Sequence, residues 1–156
     1  PFLMAEEIIT HSPEETEALG RRIGSQLHGN EIIALFGGLG MGKTAFVRGL
    51  AAGMDIDPDE ISSPTFAIVH EHENDNGKNL YHFDMYRVES WDDLYSTGFF
   101  DYLGHGVVVT EWSENIERAL PEERIEIEIS APCHDDTRIF RINGLHSNID
   151  NESEMK

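Results

Sequence analysis

The chain has 156 residues, enough for one domain around a single core, and its 39% hydrophobic content contains no apolar run near the roughly 20 residues that a membrane-spanning helix needs. Its 30 Asp and Glu against 11 Lys and Arg give a net charge of −19, a field that repels nucleic-acid phosphates and argues against direct, non-specific binding to them. The lone Cys133 excludes an internal disulfide framework and the N-terminal residues carry no secretory pattern, so a reducing cytosol is the expected compartment.

In chain order, residues 7–10 read as a short strand. Ser12 has the character of a helix N-cap, with Pro13 at the first helical position and Glu15 three residues beyond the cap. A helix is therefore expected over 13–27, with Ala18, Leu19, Ile23 and Leu27 as its buried stripe and Gly29-Asn30 as its stop. Residues 32–36 (Ile-Ile-Ala-Leu-Phe) are apolar on both faces, as in a strand covered on both sides, and glycines follow at once. The next helix should begin near Lys43, turn Phe46, Val47 and Leu50 inward, and close at Gly53.

Residues 66–71 and 80–84 flank the turn-forming cluster Asn74-Asp75-Asn76-Gly77-Lys78, which predicts a β-hairpin. His70-Glu71-His72 sends both rings to one face of that strand, read as a solvated face rather than a zinc site. Trp91-Asp92-Asp93-Leu94 opens a small acidic helix or turn. Residues 107–110 form a further strand, and Ser113 is expected to cap a short helix ending near Leu120-Pro121. Ile125, Ile127 and Ile129 should face Ile139 and Ile142 in a second hairpin. Cys133 has no basic neighbour and is expected to be inert. Residues 146–156 are polar and aperiodic, which predicts a disordered tail behind a domain spanning 5–145. The fold class expected is a single α/β domain, with a mixed parallel and antiparallel central sheet flanked by helices.

The chemistry is concentrated in Gly37-Gly38-Leu39-Gly40-Met41-Gly42-Lys43-Thr44, which fits G-x-x-x-x-G-K-[ST] between a hydrophobic strand and an amphipathic helix. In a P-loop of this kind the wrapped backbone points successive N–H groups at the β-phosphate, at the positive end of the following helix. The expected ligands are ATP and Mg²⁺, cradled by Gly37, Leu39, Gly40, Met41, Gly42, Lys43, Thr44 and Ala45. Lys43 would neutralise the β- and γ-oxygens, and the Thr44 hydroxyl would bind Mg²⁺. Such a site also needs an acid at the end of a neighbouring strand; Asp84 and Glu111 both satisfy this, and spacing does not choose between them. Ser63-Pro64-Thr65-Phe66 reads equally as a γ-phosphate sensor or as a Pro turn leading into a strand.

Four motifs in this order, Gly-x-Leu-Gly-x-Gly-Lys-Thr from Gly37, Ser63-Pro64-Thr65-Phe66, His82-Phe83-Asp84-Met85-Tyr86-Arg87 and Glu111-Trp112, resemble the TsaE (YjeE) family over roughly residues 7–143. These are bacterial P-loop ATPases required for making threonylcarbamoyladenosine next to the anticodon of tRNA. The resemblance implies slow intrinsic ATP hydrolysis and action with a TsaB–TsaD pair, in which TsaD is the transferase and through which tRNA is reached. It implies Lys43 and Thr44 as phosphate and Mg²⁺ residues, Glu111 as a Mg²⁺ ligand, Asp84 as the acid of hydrolysis and Thr65 as the switch threonine. It further implies an adenine pocket containing Thr10 and Arg138, with Trp112 packing the site. Gly38 stands where the family usually has an acid, and Met41 where it has a small Ala, so binding is the firmer expectation and turnover the weaker. Two other readings share the P-loop: a small-molecule or protein kinase with Asp84 as base, and a non-hydrolysing, nucleotide-dependent adaptor. The sequence shows neither a lid segment nor an acceptor pocket for the first, and Gly38 sustains the second.

Overall fold

Because Ile32–Phe36 is apolar on both faces, it can be covered on both sides, and it forms the middle strand of a seven-stranded sheet in the computed structural model. The structure describes residues 6–37, 42–62 and 68–145. The strands are β1 (Glu6–Thr10), β2 (Ile32–Phe36), β3 (Val69–Glu73), β4 (Asn79–Asp84), β5 (Val107–Glu111), β6 (Ile125–Ser130) and β7 (Arg138–Asn143), in the order β1-β7-β6-β2-β5-β4-β3. The central strands β6, β2, β5 and β4 run parallel. Antiparallel pairing of β3 with β4, of β7 with β6 and of β1 with β7 makes the sheet mixed, as expected. Both short hairpins form, since their turns are too brief for a parallel crossover.

The helices are α1 (Pro13–Gln26), α2 (Lys43–Gly53), α3 (Trp91–Ser96) and α4 (Phe99–Tyr102), with 3₁₀ segments at Pro58–Glu60 and Ser113–Ala119. Side-chain alternation sorts the strands into two cores. Ile33, Leu35, Leu80, Val107, Val109, Ile127 and Phe140 meet α1 and α2 through Leu19, Ile23, Phe46, Val47 and Leu50. Ile32, Ala34, Tyr81, Phe83 and Val108 meet Leu94, Phe99, Ile116 and Leu120 on the opposite face. None of the helices among the described residues is long and apolar enough to cross a membrane.

Several expectations are corrected. Ser12 does cap α1, accepting from the Glu15 N–H, but the helix stops at Gln26 and Leu27 is its C-cap. Ala18 is exposed; the buried stripe is Thr16, Leu19, Gly20, Ile23 and Gly24. Glycines belong to that stripe because α1 and α2 touch backbone to backbone. A Cβ at Gly20 or Gly24 would overlap the Phe46 or Leu50 carbonyl oxygen, and one at Gly49 or Gly53 would overlap that of Glu17 or Arg21. In the second hairpin Ile127 faces Ile142 as expected, but Ile129 faces Phe140, and Ile139 lies opposite Ser130. Residues 139 and 142 are an odd number of positions apart, so a regular strand cannot place both on one face.

Ser113 is not a cap. Trp112 precedes the 3₁₀ segment with φ 58° and ψ 42°, while the buried Ser113 hydroxyl lies 2.7 Å from the Thr110 hydroxyl and donates to the Thr110 carbonyl at 3.0 Å. His70 and His72 are half-buried rather than solvated: Glu60 lies 3.7 Å from His72 Nδ1, and the His70 ring packs edge-on against His72 and His82. Among the described residues no group of three or more His, Cys, Asp and Glu side chains could hold a metal ion. The strand start expected at 66, the Ser63 to Phe66 segment and the tail expected at 146–156 lie outside the described residues.

The backbone contact between α1 and α2 leaves no room for a methyl group. Gly49→Ala should lower unfolding stability by about 1–3 kcal/mol through overpacking, read as a lower urea midpoint with an unchanged slope. A midpoint equal to that of the parent protein would contradict this packing.

Candidate functional site

The chain leaves β2 at Gly37, whose φ is +140° and whose Cβ, if it had one, would lie 2.6 Å from the Ile129 carbonyl oxygen of the adjacent strand. Only glycine fits both constraints. It re-enters regular structure at Gly42, the left-handed N-cap of α2 (φ 83°), and Lys43 is the first helical residue. Lys43 is only 6% exposed. Its ammonium donates to the Gly37 carbonyl at 3.3 Å, lies 3.7 Å from Glu111 Oε1, and stands 4.8 Å above the Trp112 ring. Thr44 and Ala45 follow on the half-buried first turn. The Gly37 N–H donates to the Glu114 carboxylate at 3.3 Å, tying the beginning of the loop to the 3₁₀ segment.

Glu111 closes β5 and is itself 6% exposed. Its Oε2 lies 2.5 Å from Nε2 of His82, a residue with no exposed surface. Burial pushes the Glu111 carboxyl up, but the hydrogen bond and charge of His82 and the charge of Lys43 outweigh it, so the group is held below the usual carboxylate range. An ionised carboxylate only accepts, so His82 Nε2 carries the proton in this pair.

Asp84 and Glu111 are register neighbours at the carboxyl ends of adjacent parallel strands, which places both acids at one edge of the sheet. Their surroundings differ. Asp84 is half-buried and its Oδ1 accepts the Tyr86 N–H at 2.9 Å, whereas Glu111 alone reaches Lys43. Thr10 and Arg138 are also register neighbours, at the β1–β7 end. Arg138 extends towards α2, where a Cβ at Gly42 would lie 3.8 Å from its Nε. The Arg138 Nη1 donates to the Asp135 and Thr137 carbonyls at 2.7 and 2.9 Å, fixing the guanidinium beside the helix N-terminus. Thr10 is buried, with its hydroxyl 2.7 Å from that of Thr16, so that hydroxyl is engaged with the first turn of α1. Gly37, Gly42, Lys43, Thr44, Ala45, Glu111, Asp84, Thr10 and Arg138 thus lie at the loop end of the sheet. Leu39, Gly40 and Met41, with the unusual Gly38, and Thr65 lie outside the described residues.

Three residues carry more of the site than their sequence context indicated. His82 has no apolar reason to be buried; its alternation with Leu80 and Asp84 on β4 was the available signal. Glu114 holds Gly37, a contact across 77 positions that no local pattern reveals. Trp112 is both the face under Lys43 and the ring against Tyr86, with centroids 4.9 Å apart. The donor set suits a divalent cation bound with a phosphate tail: a threonine hydroxyl and a carboxylate are hard oxygen ligands, and the amine and helix N-terminus beside them attract anions.

The chain matches the family model "Threonylcarbamoyl adenosine biosynthesis protein TsaE" over residues 10–140. It is 39% identical over 140 residues to the tRNA threonylcarbamoyladenosine biosynthesis protein TsaE of Aquifex aeolicus, covering 88% of this chain and 98% of that protein. The protein of the same name from Bacillus subtilis is 39% identical over 131 residues, with 83% and 80% coverage. Among solved structures, that of YdiB from Bacillus subtilis superposes with a TM-score of 0.68 at 32% identity, covering 99% of this chain and 93% of the other. The expected mixed α/β architecture and the match over most of the chain lead to one assignment: this protein belongs to the TsaE family of threonylcarbamoyl adenosine biosynthesis proteins.

Proposed function

We propose that the protein binds ATP with Mg²⁺ between α2 and the ends of β4 and β5, hydrolyses it slowly, and serves tRNA threonylcarbamoyladenosine formation in the cytosol with a TsaB–TsaD-type pair. The observation that carries this reading is the buried ammonium of Lys43, held at the first position of α2 by the Gly37 carbonyl, Glu111 and the Trp112 ring. A cation there opposes the helix dipole, so it serves stability poorly and anion capture well. The names of the relatives support the pathway, and the P-loop supports the nucleotide.

Hydrolysis adds water to the γ-phosphorus and breaks its bond to the β,γ-bridging oxygen, releasing ADP and inorganic phosphate. Lys43 neutralises the β- and γ-oxygens as charge moves onto the bridge. Thr44 and Glu111 supply the protein oxygens for Mg²⁺, which when bound adds further charge neutralisation. Asp84, steadied by the Tyr86 amide, orients the attacking water and accepts its proton. Arg138, fixed beside Gly42, offers its guanidinium plane to the adenine, with Thr10 walling the pocket. Thr65 serves as the γ-phosphate sensor that makes partner docking nucleotide-dependent.

Lys43→Ala should leave the fold intact, weaken nucleotide binding and abolish phosphate release, alone and with the partner pair. Phosphate release by the folded variant at the parental rate would remove the P-loop from the chemistry. If the parent protein binds nucleotide yet releases no phosphate with its partners present, the adaptor reading replaces hydrolysis.

The charge of −19 governs the route to RNA. Isolated protein should bind tRNA weakly or not at all even at low salt, where electrostatic attraction would be strongest, and should bind the TsaB–TsaD pair with different affinities in the presence of a non-hydrolysable ATP analogue and of ADP. Tight partner-free tRNA binding, or equal partner affinity in both nucleotide states, would contradict the corresponding half.

A further inference from the structure

We propose that His82 is a positioning residue that makes Glu111 a one-oxygen ligand and thereby gives the site its preference for Mg²⁺ over Ca²⁺; this rests on the reading that Glu111 faces the metal. A glutamate at a strand end can rotate its carboxylate and offer either oxygen or both. Here that freedom is removed from one side. The His82 ring has no exposed surface, and its neighbour His70 packs edge-on at 6.4 Å with an interplanar angle of 90°. It lies two residues before Asp84 on β4 and is paired in register with Val109, two residues before Glu111 on β5. Side-chain alternation therefore puts His82 and Glu111 on the same face of adjacent strands. The imidazole bonds Oε2 at 2.5 Å, while Oε1 is the oxygen turned to Lys43 at 3.7 Å.

The consequence is a matter of coordination number. Mg²⁺ requires near-ideal octahedral geometry and takes single oxygens, whereas Ca²⁺ accepts six to eight ligands and commonly uses both oxygens of a carboxylate. A carboxylate with one oxygen committed to a buried, rigid donor can satisfy the first pattern and not the second. Hydrogen bonds from residues behind the ligands typically contribute on the order of 10–100-fold to metal affinity. His82 is placed to supply that effect through Glu111 without touching the ion or the nucleotide.

The test uses a fluorescent ATP analogue and the full chain, titrated with Mg²⁺ or with Ca²⁺. His82→Leu should raise the Mg²⁺ midpoint by about tenfold or more while moving the Ca²⁺ midpoint far less, and should leave nucleotide affinity without divalent cation unchanged. His82→Gln, whose amide keeps a donor in reach of Oε2, should recover most of the Mg²⁺ affinity. Midpoints for both ions that move together or not at all, a metal-free nucleotide affinity that falls in parallel, or a glutamine variant as impaired as leucine would overturn the proposal. Glu111→Gln separates the levels: no change in its Mg²⁺ midpoint refutes Glu111 as the metal-facing acid, whereas a shift there with none in His82→Leu refutes only the role of His82. Should the leucine variant not fold, ¹⁵N-histidine spectra of the unmodified protein give the reading. His82 should carry a proton on Nε2 and its signal should move when Mg²⁺ joins bound nucleotide; an unprotonated Nε2 or an indifferent signal contradicts the proposal.

Discussion

Burying an ammonium beside a carboxylate costs several kcal/mol per ion in lost hydration, and such a pair persists only where further hydrogen bonds satisfy what remains. Lys43 and Glu111, each 6% exposed, meet that condition. Lys43 has the Gly37 carbonyl and the Trp112 ring; Glu111 has His82. The surrounding architecture supplies these partners from three strands and a helix. Gly37 follows β2, His82 lies within β4, Glu111 ends β5 and Lys43 begins α2. Trp112 reaches beneath the ammonium through a left-handed backbone conformation that a bulky residue rarely adopts, a strain that the Tyr86 contact and the Ser113–Thr110 bonds hold in place.

A protein built for stability alone would place an acid, not a lysine, in the first turn of α2. That turn contains no acidic residue. The positive end of the helix and the lysine act in the same sense, towards an anion, and Glu111 is the local counter-charge that keeps the arrangement buried. The parallel order of β2, β5 and β4 brings both acids to the same edge as the start of α2, so the proposed phosphate and metal roles fall together at the carboxyl ends of the strands. Rigidity behind the crevice comes from α1, pressed against α2 through glycines with no side-chain layer between them.

The expectation at Lys43 came from local sequence, because a P-loop pattern is eight consecutive residues between a strand and a helix. The α/β class followed from the same run and from two hairpin turns. What remained hidden depended on contacts distant in sequence. The choice between Asp84 and Glu111 has no local answer, since both end apolar strands; their different partners, Tyr86 for one and Lys43 with His82 for the other, distinguish them. Ala18 was misplaced because apolar spacing outweighed Gly20 and Gly24, whose value is the close approach of a second helix. Ile139 was misplaced where strand parity should have selected Phe140. His70 and His72 read as solvated because their neighbours are distant in sequence: Glu60 lies beside His72, and the His82 ring of β4 packs edge-on against His70.

The most direct measurement is a crystal structure with a non-hydrolysable ATP analogue and Mn²⁺ in place of Mg²⁺, located by its anomalous signal. The expected result is an ion about 2 Å from the Thr44 hydroxyl and bound by the single oxygen Oε1 of Glu111, with the Lys43 ammonium moved from Glu111 onto the β- and γ-oxygens. An ion bound away from both residues, or a phosphate tail lying elsewhere while Lys43 remains on Glu111, would contradict it.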